Sequence, residues 1–485
     1  MRIVRHSLLN LIGLGAPLLV ALFAIPVLLA GLGTARFGLL TLIWALVSYF
    51  GLFDLGLARA LTLRLAVVLE KGEDALVGPL CGTALMLMGG VGLAAGLALY
   101  LLAPWLVGSL HDLPDTGEAQ ASLRWMALAL PLVILTAGLR GMLEARGAFG
   151  LVNGIRLPMG VWTFAAPVVA LYVCGPDLTA IAAVLTIGRL LGAVAHGAAA
   201  WQALPQLRGR IAWRRDLLGS LWRSSQWLLV SNVLGPLMGY ADRFIVGLFV
   251  PVATLAYYAT PQELVMKLWI LPGALTAVLF PALAAQIAQR EQDAARLCRQ
   301  AVLGLSLVLL PITLGLATFA GPLLSIWLGA AFATEAQGCL LIFSLGMFVT
   351  GLAQLPYTAL QSAGQAATTA KLHLLELPLF LVALAWAASH LGIEAAAWVW
   401  LARVVLDAVL LVVAAQRLPL HGGGRLFDRR ALALLMLTPF GFVGLLLPNS
   451  ALRISAWLLV SVLCVIGAVH ALRQRSKTMP SLDPL

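Results

Sequence analysis

Charge is what this chain has least of. Asp, Glu, Lys and Arg make up 11% of its 485 residues, where a soluble globular protein carries about 25%. A surface facing water cannot be covered with so little charge, so a large soluble enzyme, a disordered chain and a coiled coil are all excluded. Clustered cysteine is also missing. Cys81, Cys174, Cys298, Cys339 and Cys464 stand far apart, which rules out CxxC redox and zinc spacing. Most lie in apolar runs, where a thiol acts as a small hydrophobe. The seven histidines form no HExxH. The four lysines follow Glu70, Met266, Ala370 and Ser476. No Gly-Lys pair exists, and without it there is no Walker A loop to hold ATP.

Hydrophobic residues fill the space left by charge, at 61% of the chain and a mean hydropathy of +0.99. The first apolar run, Leu8 to Ala30, has 23 residues. That exceeds the roughly 7–15 of a signal-peptide core and matches the roughly 20 of a spanning helix. Dividing the chain at charge and turn clusters predicts fourteen spans: 8–31, 37–58, 79–106, 122–143, 151–174, 178–202, 224–249, 253–287, 300–325, 336–361, 368–389, 394–416, 432–448 and 452–471. The run 253–287 is overlong and holds Pro261, Pro272 and Pro281, so a kink is expected in it. The intervening loops are short, the longest near 59–78 and 203–223. No loop has room for a soluble domain, and function is expected in or across the bilayer.

The net charge of +11 is tested by topology. With the N-terminus inside, and residues near a span end counted with the adjoining segment, 24 of the 31 basic residues fall on inner segments, three on outer segments and four deeper within spans. Cytoplasmic segments are the ones expected to be rich in Lys and Arg. A miscounted span would invert half the chain and spoil this asymmetry. Fourteen spans with both ends cytoplasmic therefore fit, and the positive charge reads as orientation and not as a nucleic-acid footprint. The basic stretch 205–223 is the expected linker between an N-terminal lobe, 1–204, and a second lobe, 224–416. Residues 417–485 would add two helices and a tail. Gly92 and Gly96 form a GxxxG, a helix-packing signal.

Ionisable residues inside spans cost about 2.5–3.5 kcal/mol each on insertion scales and are functional suspects by default. Arg189 lies mid-span with no acid within a turn. Asp242 and Arg243 lie in span 7. Glu263 and Lys267 are spaced i,i+4 in span 8, and so are Arg403 and Asp407 in span 12. Glu376 stands alone in span 11, and Asp54 sits at the inner end of span 2. Each i,i+4 pair admits two readings, a self-neutralised pair that lowers insertion cost or a part of a polar cavity. Asp54 equally reads as interfacial. The aromatics Tyr240, Tyr257, Tyr258, Trp269 and Tyr357 are either sugar-stacking or packing residues.

The segments opening each half carry a resemblance. The first reads Asn10, Pro17, Pro26, Gly31-Leu32-Gly33, Phe37-Gly38, Tyr49 and Asp54-Leu55-Gly56-Leu57. The second reads Asp242-Arg243-Phe244-Ile245-Val246-Gly247, Pro251-Val252-Ala253, Tyr257-Tyr258, Pro261 and Phe280-Pro281. This pattern resembles the Wzx-type polysaccharide flippases of the multidrug/oligosaccharidyl-lipid/polysaccharide exporter superfamily. The resemblance implies an all-α polytopic protein of the bacterial cytoplasmic membrane. It implies two six-helix lobes around a central cavity, with two C-terminal helices added. The implied activity is alternating-access transfer of an undecaprenyl-diphosphate-linked oligosaccharide to the outer leaflet, without cofactor or ATP. The implied drive is a proton or sodium gradient or the membrane potential, and the implied partners are membrane lipids and polysaccharide polymerase or assembly proteins. A diphosphate needs fixed cations, for which Arg189, Arg243, Lys267 and Arg403 are the candidates. Tyr240, Tyr257 and Tyr258 are candidate sugar contacts. Glu376, Glu263, Asp407, Asp54 and Asp242 are candidate coupling acids. A lipid II flippase, a multidrug antiporter and a membrane glycosyltransferase or polymerase are the rival readings.

Overall fold

The computed structural model describes residues 2–50, 56–209, 212–217, 241–289, 294–418 and 449–478, with isolated positions between them. Helix dominates: α1 Arg2–Phe50, α2 Leu57–Glu70, α3 Asp74–Gly108, α4 Thr116–Ala145, α5 Phe149–Cys174 and α6 Leu178–Ala203. Then follow α7 Val252–Met266, α8 Ile270–Gln289, α9 Ala294–Thr318, α10 Ala320–Leu328, α11 Ala330–Ser362, α12 Ala366–Gln416 and α13 Ser450–Thr478. Among the described residues the β contact is one isolated bridge, His111 with Pro251.

Ten described segments are long and apolar enough to cross a membrane. Two of them are double. Backbone geometry breaks α1 at Gly33 (φ 74°) and α12 at Gly392 (φ 82°), a left-handed φ that a side chain resists. Each break falls where two adjacent spans were expected to meet. The expected spans 224–249 and 432–448 lie mostly outside the described residues. The run 252–289 is interrupted by a 3-10 turn at Lys267–Trp269. Pro272 has no N–H to offer the Leu268 carbonyl, so the helix loosens there, as the prolines predicted.

One expected loop is a helix. Residues 59–78 contain most of α2, whose Leu57, Ala58, Ala60, Leu61, Leu65 and Val68 are buried. Arg59 and Arg64 face outward and raise the polarity of the segment, which hid its apolar stripe from a span count. By compactness the chain divides into residues 1–256 and 257–485. The start of the basic stretch belongs to the first unit. Leu204 and Leu207 join the cluster of Leu61, Leu65, Cys81 and Leu143, and the Arg214 N–H donates to Thr83 Oγ1 at 3.0 Å. Beyond it, Arg214 donates through Nε and Nη2 to the Asp216 carboxylate at 3.1 and 2.7 Å. That bonding holds the exposed carboxyl below its ordinary range.

Within the first unit, α3 and α4 meet along the GxxxG. A Cβ on Gly92 would lie 2.7 Å from Pro131 Cα, and one on Gly96 would lie 2.6 Å from the Ala127 carbonyl oxygen. The second unit has a core around Leu305, Leu309, Phe348, Leu352 and Leu360. There α13 docks on α9, with Trp457 Nε1 donating to the Pro311 carbonyl at 2.9 Å.

Candidate functional site

The second unit gathers most of the sequence-selected charges. The two halves of α12, before and after Gly392, carry His373, Glu376 and Phe380 on one side and Arg403 and Asp407 on the other. Glu376 lies ten residues into the helix and Asp407 nine before its end. At 1.5 Å per residue both stand about 14–15 Å from the same end of the hairpin. Asp407 Oδ1 pairs with His373 Nε2 at 3.3 Å. The Tyr357 ring, from α11, stacks on His373 with planes 8° apart and centroids at 6.1 Å. The Arg403 guanidinium lies 5.2 Å over the Phe380 ring. Arg403 and Asp407 therefore both reach the facing half-helix, which their i,i+4 spacing does not disclose.

Glu376 is the centre of this group. It is 2% exposed, and among the described residues neither carboxylate oxygen has a hydrogen-bond partner. The charges of Asp407, His373 and Arg403 all act on it. A buried carboxylate without a donor is expensive, and nearby cations offset part of that cost. The arrangement can take up a proton on Glu376 or exchange it between charged neighbours. His373 was not foreseen. Its signal was the i,i+3 spacing to Glu376, legible only once Glu376 is given a facing partner.

Glu263 and Lys267 form the expected ion pair at the start of the 3-10 turn, half-buried. Tyr257 is half-buried and meets Phe332 edge-on at 4.9 Å. Tyr258 is fully buried against Phe343, which in turn packs on Trp400. Trp269 is 38% exposed.

The first unit holds the rest. Arg189 is half-buried on α6, with no ion pair among the described residues. Asp242 and Arg243 are enclosed by protein, and Asp242 Oδ1 accepts from the Arg243 N–H at 2.9 Å. Asp54 and Tyr240 lie outside the described residues. Arg36 and Glu118, far apart in sequence, form a pair that no local spacing announces. Arg36 Nε donates to Glu118 Oε2 at 2.8 Å, and Glu118 Oε1 also accepts from the Leu178 N–H at 2.7 Å. One carboxylate thus ties α1, α4 and α6 together, beside an open depression of about 450 Å³ lined by Asp115, Asp177 and Thr179. Among the described residues no group of His, Cys, Asp and Glu could hold a metal ion.

A stack of apolar spans with a few charges held inside defines a multi-pass membrane protein, and sequence comparison supplies its family. The family model described as "Polysaccharide biosynthesis protein" matches residues 31–337, and the chain belongs to that family. A relative from Shigella flexneri, named "Putative O-antigen transporter", is 28% identical over 416 residues, which is 85% of this chain and 97% of the relative. Two solved structures share the fold. The lipid II flippase MurJ in an inward closed conformation has a TM-score of 0.70 at 12% identity, over 97% of this chain and 99% of its own. An inward-facing multidrug resistance MATE family transporter of the MOP superfamily has a TM-score of 0.68 at 13% identity, over 83% of this chain and 96% of its own.

Proposed function

We propose that the protein is a flippase for a lipid-linked polysaccharide repeat unit. It moves an undecaprenyl-diphosphate-linked oligosaccharide of O-antigen, capsule or exopolysaccharide from the inner to the outer leaflet of the bacterial cytoplasmic membrane. Both termini are cytoplasmic in this reading, and polymerase or assembly proteins take the product. The work divides between a lobe at 1–204 and a lobe at 224–416, joined by 205–223, with 417–485 added. The observation that carries the reading is the family match across both compact units, joined to a transporter relative covered over almost its whole length.

The chemistry is consistent with it. A diphosphate cannot enter hydrocarbon bare, and a span that keeps Arg189, with no ion pair among the described residues, offers a fixed cation. Arg243, Lys267 and Arg403 are the other cations at membrane depth. The Glu376 group is suited to coupling transfer to a proton or sodium gradient, with Glu263, Asp407, Asp242 and Asp54 as further acids. No step of this transfer makes or breaks a covalent bond, so the reading is of a transporter and not an enzyme. Transfer of lipid II is the second reading, favoured by the fold match over 97% of this chain.

Arg189→Gln and Arg243→Gln are expected to leave the protein in the membrane and to block export. The measurement is surface polysaccharide together with the inner-leaflet pool of lipid-linked repeat unit. Surface polysaccharide should fall and the pool should rise. Full export by both single variants and by the double variant would overturn the cationic path.

A further inference from the structure

One charged group takes no part in the site above. Arg140 and Glu144 lie on α4, Arg156 on α5 and His196 on α6. Arg140 is five residues before the end of α4, Arg156 seven after the start of α5, and His196 seven before the end of α6. At 1.5 Å per residue all three sit about 8–11 Å inside the same end of the first unit. That is the end where the basic residues concentrate.

The three helices bring these groups within range of one another. Arg140 Nε is 3.5 Å from Glu144 Oε1. The Arg140 charge acts on both Arg156 and His196, and the Glu144 charge acts on Arg156. Glu144 pairs with Arg140 on its own helix, and Arg156, on the helix that follows, lies within electrostatic range of both. His196 is 2% exposed. Its Nδ1 lies 2.8 Å from the Gly192 carbonyl and must donate to it, and its Nε2 is buried with no partner. Arg140 and Arg156 are exposed, so a ligand can reach the group from the side.

Both arginines sit more than a turn inside their helices, close to that end. Like charges held together repel, and an anion between them removes the repulsion. The guanidinium fork matches phosphate oxygens with two parallel hydrogen bonds.

We propose that Arg140 and Arg156 form a binding site for the phosphate of a lipid in the inner leaflet. Two lipids carry that chemistry, the diphosphate-linked carrier and the bulk anionic phospholipid. The first source rests on the transport reading above, and the second does not.

The test is binding of undecaprenyl diphosphate and of phosphatidylglycerol to the full-length protein in phosphatidylcholine nanodiscs. Arg140→Gln with Arg156→Gln should weaken binding roughly tenfold. The Lys pair at the same positions keeps the charge but not the fork and should restore only part of it. Glu144→Gln removes the offsetting charge and should strengthen binding severalfold, a gain that misfolding cannot produce. Loss confined to undecaprenyl diphosphate assigns the site to the carrier. Loss that includes phosphatidylglycerol assigns it to anionic lipid in general, and either outcome supports a phosphate site. Unchanged binding of both probes in the double Gln variant, or no gain in Glu144→Gln, would overturn it. Binding is read without translocation, so its failure leaves the transport reading standing, and a failure of leaflet exchange leaves the binding result standing.

Discussion

Among the described residues neither carboxylate oxygen of Glu376 has a donor, and the residue is almost wholly enclosed. An ionisable residue in such a place is a functional suspect by default, which is the argument for proposing Glu376 as the coupling acid. Glu376→Gln is expected to insert and fold normally, because it removes a costly buried charge. It should also lose the acceleration of transport by an imposed proton or sodium gradient. Transport in vesicles with and without the gradient reads this directly, and an undiminished gradient response contradicts it. Glu376 was legible as a lone acid in an apolar run. Its partners were not. His373 meets Asp407 across the turn at Gly392, and no spacing rule connects residues on opposite sides of a turn. The i,i+4 rule found Glu263 with Lys267, where local spacing does decide the contact.

Elements were legible where composition changes and obscure where it does not. Apolar length located most of the spans. The amphipathic α2 escaped because only half its surface is buried. The GxxxG at Gly92 and Gly96 gave a packing seam correctly, and the structure identifies its partners as Pro131 and Ala127 on α4. Gly96→Leu must therefore push backbone against backbone. It is expected to destabilise the first unit by about 1–3 kcal/mol, seen as a lower Tm in detergent. Gly90 has nothing within 4 Å of its Cβ position, so Gly90→Leu should leave Tm within error. Equal shifts for the two variants would contradict a specific α3–α4 seam.

For the whole molecule, charge asymmetry predicted orientation, and apart from α2 the long helices follow the expected spans wherever residues are described. The orientation is open to a simple check. Among the five cysteines Cys174, at the end of α5, is exposed and the others are buried. With the α5–α6 turn outside, a membrane-impermeant maleimide added to intact cells should label the protein at Cys174. Labelling only in inside-out vesicles would invert the topology. What composition could not give is the cargo. Hydropathy specifies that a path must cross lipid, and the identity of what crosses depends on a few side chains, of which Asp54 and Tyr240 lie outside the described residues.

The central claim is that this chain carries a lipid-linked oligosaccharide between leaflets. It is tested most directly with the purified protein in vesicles containing undecaprenyl-diphosphate-linked oligosaccharide that bears a fluorophore on the sugar. An impermeant reductant quenches only the outer leaflet. The account predicts that protein-containing vesicles lose nearly all fluorescence on reductant addition, and that Arg189→Gln with Arg243→Gln slows the loss. Protein-free vesicles should retain about half the signal, the share of the inner leaflet. Retention of that same share in the presence of the protein, with and without an imposed gradient, would contradict the account.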